Sequence, residues 1–174
     1  MTEVAGEVAD GFMVHPFSTE RSLGEVTLPA LARGRARPGA VTAPIQVSLP
    51  VMIATGADDA AIDAAKAAVR AQIAFYGSTP AYRVVLDVHG WGHLQPQLRD
   101  LTRAGDWEGM ASLVDDDLLD AVAVVAAPDD VAVEVTRRYG TVLDRVALNA
   151  PYAADPDIWQ QIASDLRGQG TSKT

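Results

Sequence analysis

A histidine and two hydroxyl residues stand together in His15-Pro16-Phe17-Ser18-Thr19, between a short apolar run and the start of a helical pattern. An imidazole in that position could give up a proton or touch a bound molecule. The Ser18 and Thr19 hydroxyls, with the free backbone N–H groups of the helix that follows, suit a phosphate or sugar-alcohol oxygen, and Arg21 adds positive charge. Plainer readings stand beside these. Ser18 or Thr19 can simply cap the helix, and a histidine next to proline can be a satisfied structural residue.

A second set is aromatic. Tyr76, Tyr82, His89, Trp91 and His93 crowd one stretch of a chain that is only 6% aromatic. Such side chains either wall an apolar pocket and keep water out, or pack an insertion onto the body of the fold. His89 and His93 have the i, i+4 spacing of a helical metal pair, but Gly90 and Gly92 interrupt any helix there, so no metal site is expected. Thr55-Gly56 and Asn149 end two further apolar runs and can line a pocket or make ordinary turns. Asp115-Asp116-Asp117 reads as a solvated helix start. No cysteine, Walker loop, GxGxxG or ordered Ser-His-Asp set is present, which leaves thiol, NTPase, Rossmann and hydrolase chemistries without support.

The elements that must position these groups alternate. A strand is expected at Phe12-Met13-Val14, buried on both faces. It is followed by a helix from Ser18-Thr19-Glu20, with Pro29 as a kink or break. A second strand spans Ile45 to Ile53, with a bulge or irregular start at Pro50. The clearest helix runs from Asp58 to Tyr76, Ala-rich, with Ile62, Ala65, Val69 and Ile73 at helical spacing. Short helices fill a packed insertion over about 77–117. An apolar run at Leu118 to Val125 precedes a helix that starts at Ala127-Pro128-Asp129-Asp130 and stops at Gly140. A last strand, Val142 to Leu148, leads to a closing helix from Asp155-Pro156. This order, with three strands, predicts a parallel sheet with right-handed crossovers over residues 1–168 and a flexible tail at 169–174. Three parallel strands would leave exposed edges and poorly covered faces.

At 174 residues, 48% hydrophobic and 21% charged, the chain suits one globular domain with a sizeable core. A net charge of -9 argues against nucleic acid or an anionic membrane surface as partner. The N-terminus has no signal-peptide pattern, and no apolar run approaches the roughly 20 residues of a membrane span. A cytoplasmic setting fits the absence of cysteine.

The ordered set Ala5-Gly6-Glu7-Val8-Ala9-Asp10-Gly11-Phe12, His15 to Thr19, Gln72 to Tyr82, His89-Gly90-Trp91 and Ala127-Pro128-Asp129-Asp130-Val131 resembles the bacterial luciferase-like superfamily. Within it the pattern is most similar to actinobacterial enzymes using the deazaflavin coenzyme F-420, with FMN-dependent members as the alternative. The resemblance implies an α/β fold: about strands six to eight of a TIM (β/α)8 barrel, with a helical insertion before the last strand. A whole barrel usually takes about 250 residues, so the resemblance also implies a truncated chain lacking the first five strands. It implies an oxidoreductase moving hydride to or from a small organic substrate. His15, Phe17, Ser18 and Thr19 would bind the cofactor, and Tyr76, Tyr82, His89 and Trp91 would line the substrate pocket. Activity would need the missing half, supplied by pairing or by homo-oligomers. The rival expectation is a catalytically inactive half-barrel that serves as an assembly or interaction module.

Overall fold

The computed structural model of the protein describes residues 1–170. Its centre is one long strand, β2 (Gln46–Ala54), with which β1 (Gly11–Met13), β3 (Ala123–Val125) and β4 (Arg145–Asn149) all pair in parallel. A strand has only two edges, so two partners must share one. Even-numbered residues of β2 bond to β1 and β3, as in Val14 N–H to Ser48 O and Ala126 N–H to Ala54 O. Odd-numbered residues face β4, as in Asp144 N–H to Val47 O. β1 and β3 therefore lie end to end along one edge, at Gln46–Ser48 and Met52–Ala54, with β4 along the other at Ser48–Met52. Pro50 falls in the gap between β1 and β3, where its missing N–H breaks no ladder bond. The bulge expected there is unnecessary.

Four strands rather than three correct the expected count. The apolar run at Leu118 to Val125 divides into a helix, α8 (Asp116–Val122), and β3, whose Ala-Val-Val is too short to show a period of its own. The last strand starts later than expected, because Val142 and Leu143 close a turn onto Tyr139 O.

The remaining helices are α1 (Thr2–Val8), α2 (Glu20–Ser22), α3 (Leu28–Arg35), α4 (Asp59–Gly77), α5 (Arg83–Asp87), α6 (Leu94–Ala104), α7 (Trp107–Ser112), α9 (Pro128–Tyr139) and α10 (Pro156–Gly170). A π-turn at Leu23–Thr27 links α2 to α3. Its wider spacing lets Pro29 enter the next helix at the first turn, so the proline neither kinks nor ends it. Of the tail expected at 169–174, residues 169–170 continue α10, and 171–174 lie outside the described residues.

Helices cover the two faces of the sheet unequally. Val47, Leu49, Val51 and Ile53 form one face, which packs under Leu23 and Leu31, under Val131, Val135 and Tyr139 of α9, and under Ile162 of α10. On the other face Met52 and Ala54 meet Ala65, Val69 and Ile73 of α4, with Leu118, Leu119 and Val122 of α8 beside them. Burying each of the larger side chains contributes about 1.5–3 kcal/mol. Among the described residues no helix covers the lower part of that second face. Gln46, Arg145 and Ala147 are exposed and Ser48 and Pro50 half-buried, while Met13, expected to be buried on both faces, is 73% exposed.

α1 and α3 approach closely because Gly6 and Gly34 face the partner backbone. A Cβ on Gly34 would stand 1.8 Å from Glu3 O, and one on Gly6 2.2 Å from Leu31 O. Exposed ion pairs of Glu3 with Arg33 and Arg37, and of Glu7 with Arg37, flank the contact and add little individually. Gly34→Ala is therefore expected to destabilise the fold by about 1–3 kcal/mol, since backbone rather than a side-chain tip must move. Gly24→Ala, with nothing within 4 Å of its Cβ position, should be neutral or stabilising. Urea midpoints of the two variants check this contrast.

Candidate functional site

The segment after β1 carries the first site residues. Val14 is still tied to Ser48 O, then Pro16 turns the chain and Ser18 N–H bonds back to Pro16 O at 2.9 Å. Thr19 caps the helix reciprocally: its Oγ1 accepts Ser22 N–H, and its own N–H donates to Ser22 Oγ, both at 2.9 Å. The plain capping reading therefore holds for Thr19. The same hydroxyl also lies 2.8 Å from His89 Nε2, seventy positions along the chain.

His15 sits among rings. Tyr82 stacks on it with centroids 4.3 Å apart, and Tyr76 meets it edge-on at 4.7 Å. Phe17 N–H donates to His15 Nδ1 at 3.1 Å. The Phe17 ring is fully buried, tilted against Tyr76 and Tyr82, so it supports the aromatic group from within the core and presents no surface to a ligand. α4 brings Tyr76 here because Asp58 caps the helix start and nineteen helical residues follow. The turn Pro80–Tyr82 then delivers Tyr82.

A second aromatic pair forms beside Thr19. His89 stacks on Trp91 with centroids 4.6 Å apart and planes 13° from parallel. The predicted residues thus gather into two patches joined by residues 15–19: His15, Tyr76 and Tyr82 over Phe17, and His89 and Trp91 against Thr19. His93 joins neither; it stands at the N-cap of α6. A cleft of about 510 Å³ opens at the second patch, bordered by the charged and polar residues Thr19, Arg21, His89, Asp117, Asp120 and Arg138 among others. Asp115 caps α8 through Leu118 N–H, which makes the acidic run a helix start.

One residue of the site region, Tyr152, carries no sequence signal. The Tyr152 hydroxyl lies beyond β4 yet meets Thr55 N–H at 3.0 Å and Ile53 O at 3.1 Å, so it locks the end of β2. Beside it Thr55 Oγ1 is buried with no hydrogen-bond partner among the described residues, the kind of group that a bound molecule or ordered water completes. A larger cleft of about 760 Å³ lies between α9, β4 and α10, where Val135, Leu143, Val146, Leu148 and Leu166 make it mainly apolar.

Burial pushes the imidazoles of His15 and His89 below the usual histidine range, with Arg21 adding to the effect at His89 and Glu25 opposing it. Burial raises the Tyr152 phenol. Near the cleft, hydrogen bonds from Arg137 and then Arg138 hold Glu134 down at about 2.

These observations define an α/β protein with a parallel sheet and an aromatic, hydroxyl-bearing cluster beyond its first strand. Residues 1–145 match the luciferase-like monooxygenase family, and the chain belongs to that family. It is 54% identical over 146 residues to the uncharacterized protein Rv1360 of Mycobacterium tuberculosis, covering 84% of this chain and 43% of that protein. Over 171 residues it is 28% identical to the 5,10-methylenetetrahydromethanopterin reductase of Methanopyrus kandleri, covering 97% of this chain and 46% of the reductase. The structure of the coenzyme F-420 dependent tetrahydromethanopterin reductase from Methanopyrus kandleri superposes with a TM-score of 0.70 at 27% identity, over 98% of this chain and 46% of that one. The chain spans less than half the length of each.

Two outcomes are expected at the site. Thr19→Val removes both the cap and the partner of His89 and should cost about 1–2 kcal/mol, whereas Thr19→Ser should retain most of the stability; chemical denaturation measures both. The pH dependence follows from the lowered groups. Glu134, with its folded value below its unfolded one, stabilises fully above about 4.5, and that contribution fades as pH falls toward about 2. His15 and His89, also lowered, lose their contribution as pH falls through 6.5, because the unfolded chain takes up the protons first. Glu134→Gln should flatten the acid limb of stability against pH and leave the limb near 6.5 unchanged.

Proposed function

We propose that the chain forms part of a luciferase-like oxidoreductase that moves hydride between coenzyme F-420 and a small organic substrate. The observation that carries this reading is the convergence of His15, Ser18, Thr19, Tyr76, Tyr82, His89 and Trp91, from distant parts of the sequence, around the segment that leaves β1. The likeness to F-420 dependent reductases supports that cofactor over FMN. When bound, a reduced deazaflavin supplies the hydride, and the protein supplies position and a dry pocket.

The residues fit such a group in kind. His15 and Ser18 offer donors for its oxygens, and Tyr76 and Tyr82 offer flat apolar walls. The orphan hydroxyl of Thr55 marks another polar position at the end of β2. Phe17 belongs to the proposal only as the floor beneath the rings. His89 and Trp91 would border the substrate side.

The sheet also supports reading this chain as the last strands of a TIM barrel. β4 pairs on one edge alone, and the bare lower face at Met13, Gln46, Ser48, Arg145 and Ala147 has the character of a barrel interior awaiting its other strands. Activity then requires strands supplied by the remainder of a relative's fold or by another copy. The same open edge and the apolar cleft favour a second reading, in which the chain is an assembly module without catalysis. Light scattering on the purified chain separates the two in part: a monodisperse monomer contradicts the assembly module.

Fluorescence titration tests the first reading. F-420 is expected to bind when the 174-residue chain is mixed with the non-overlapping remainder of Rv1360. No binding in that mixture or with the chain alone would overturn it.

A further inference from the structure

We propose that the chain itself locks His15 as the neutral tautomer with its proton on Nε2, making it a fixed hydrogen-bond donor to a carbonyl or phosphate oxygen of the bound molecule. The donor's target rests on the functional reading above; the tautomer does not.

The constraint begins at the backbone. Phe17 N–H points at His15 Nδ1 from 3.1 Å, and an N–H can bond only to a nitrogen with a free lone pair. Nδ1 is therefore unprotonated, and a neutral imidazole must carry its proton on Nε2. The amide cannot swing away, because the Phe17 ring is fully buried in the core and fixes the residue. The imidazole cannot turn over easily either. Tyr82 lies nearly parallel over one face, 25° between planes, and Tyr76 closes on it at 78°. A flipped ring would set a C–H against the Phe17 amide and leave that amide unpaired.

The imidazolium form is disfavoured in the same way, since a proton on Nδ1 would face the Phe17 proton. Stacking on Tyr82 would by itself welcome a cation. Against it stand that N–H clash and the partial burial, and no described acid is placed to stabilise the charge. With Nδ1 and the ring faces occupied, Nε2 is the remaining polar atom, and it has no hydrogen-bond partner among the described residues. The ring is half-buried, so Nε2–H reaches the surface of the aromatic patch. His89 is different. Its Nε2 meets the Thr19 hydroxyl, which can donate or accept, so neither tautomer is imposed on it.

The test has two arms. In uniformly nitrogen-15 labelled chain, two-bond proton–nitrogen correlation spectra at about pH 7.5, above the usual histidine range, should show His15 Nδ1 as an unprotonated nitrogen and Nε2 as a protonated one. His15→Asn identifies the signals by their loss. A protonated Nδ1, or one averaged signal for both nitrogens, overturns the proposal. The second arm uses F-420 with the chain and the Rv1360 remainder. Asn carries its polar atoms near the Nδ1 position and Gln near Nε2, so His15→Asn keeps an acceptor for Phe17 N–H but loses the outward donor. Its F-420 dissociation constant should rise about tenfold, and His15→Gln should stay within about threefold of the parent, as one hydrogen bond predicts. Unchanged binding by His15→Asn would contradict the donor role. If the parent binds no F-420, the functional reading falls, and the nitrogen spectrum alone decides the proposal.

Discussion

A single strand holds the sheet together. β2 supplies every inter-strand contact, with alternate residues committed to opposite edges, and its nine positions are shared among three partners. That alternation fixes much else. It puts Met52 and Ala54 beneath α4 and Val47, Leu49, Val51 and Ile53 beneath α9 and α10, and it places Pro50 where a missing N–H does no harm. A one-residue slip would turn each buried side chain toward the wrong layer.

The helix layers follow from the same arrangement. The chain moves from β1 to β2 in one direction across the sheet, returns to β3 on the first edge, and crosses again to β4. Right-handed crossovers in opposite directions deposit their helices on opposite faces. Hence α4 to α8, between β2 and β3, form one layer, while α3, α9 and α10 form the other. The return of α4 toward the β1 side carries Tyr76 and Tyr82 back to His15. The site is thus a product of the topology as much as of its residues.

Much of this is legible in the sequence. Alternation of strand and helix patterns, the long helix beginning at Asp58, the Ala127-Pro128 helix start and the acidic start of α8 all follow from local chemistry, and the structure shows each of them. The aromatic residues of the 76–91 stretch are visible as a group. Their partition between His15 and Thr19 is not, because it depends on where α4 ends in space. β3 is hidden for a different reason: three residues are too few for a period to register. Tyr152 is equally silent, since a hydroxyl that locks the end of a strand 97 residues earlier leaves no local trace. The exposure of Met13 shows the limit of composition. An apolar triplet marks a strand, but whether both its faces are covered is decided by the rest of the sheet.

If β2 is the fully paired centre, β4 is an edge strand with one side open. Residue-resolved amide exchange on the chain measures this directly. The β2 amides of Leu49, Val51 and Ile53 face β4 and should exchange only through global unfolding. The register sets Leu49 beside Val146 and Val51 beside Leu148, so in β4 the amides of Arg145, Ala147 and Asn149 turn toward β2. Those of Val146 and Leu148 turn to the open edge and should exchange orders of magnitude faster. Fast exchange along the centre of β2, or equal protection of Val146 and Leu148 with the β2 set in the isolated chain, would contradict it.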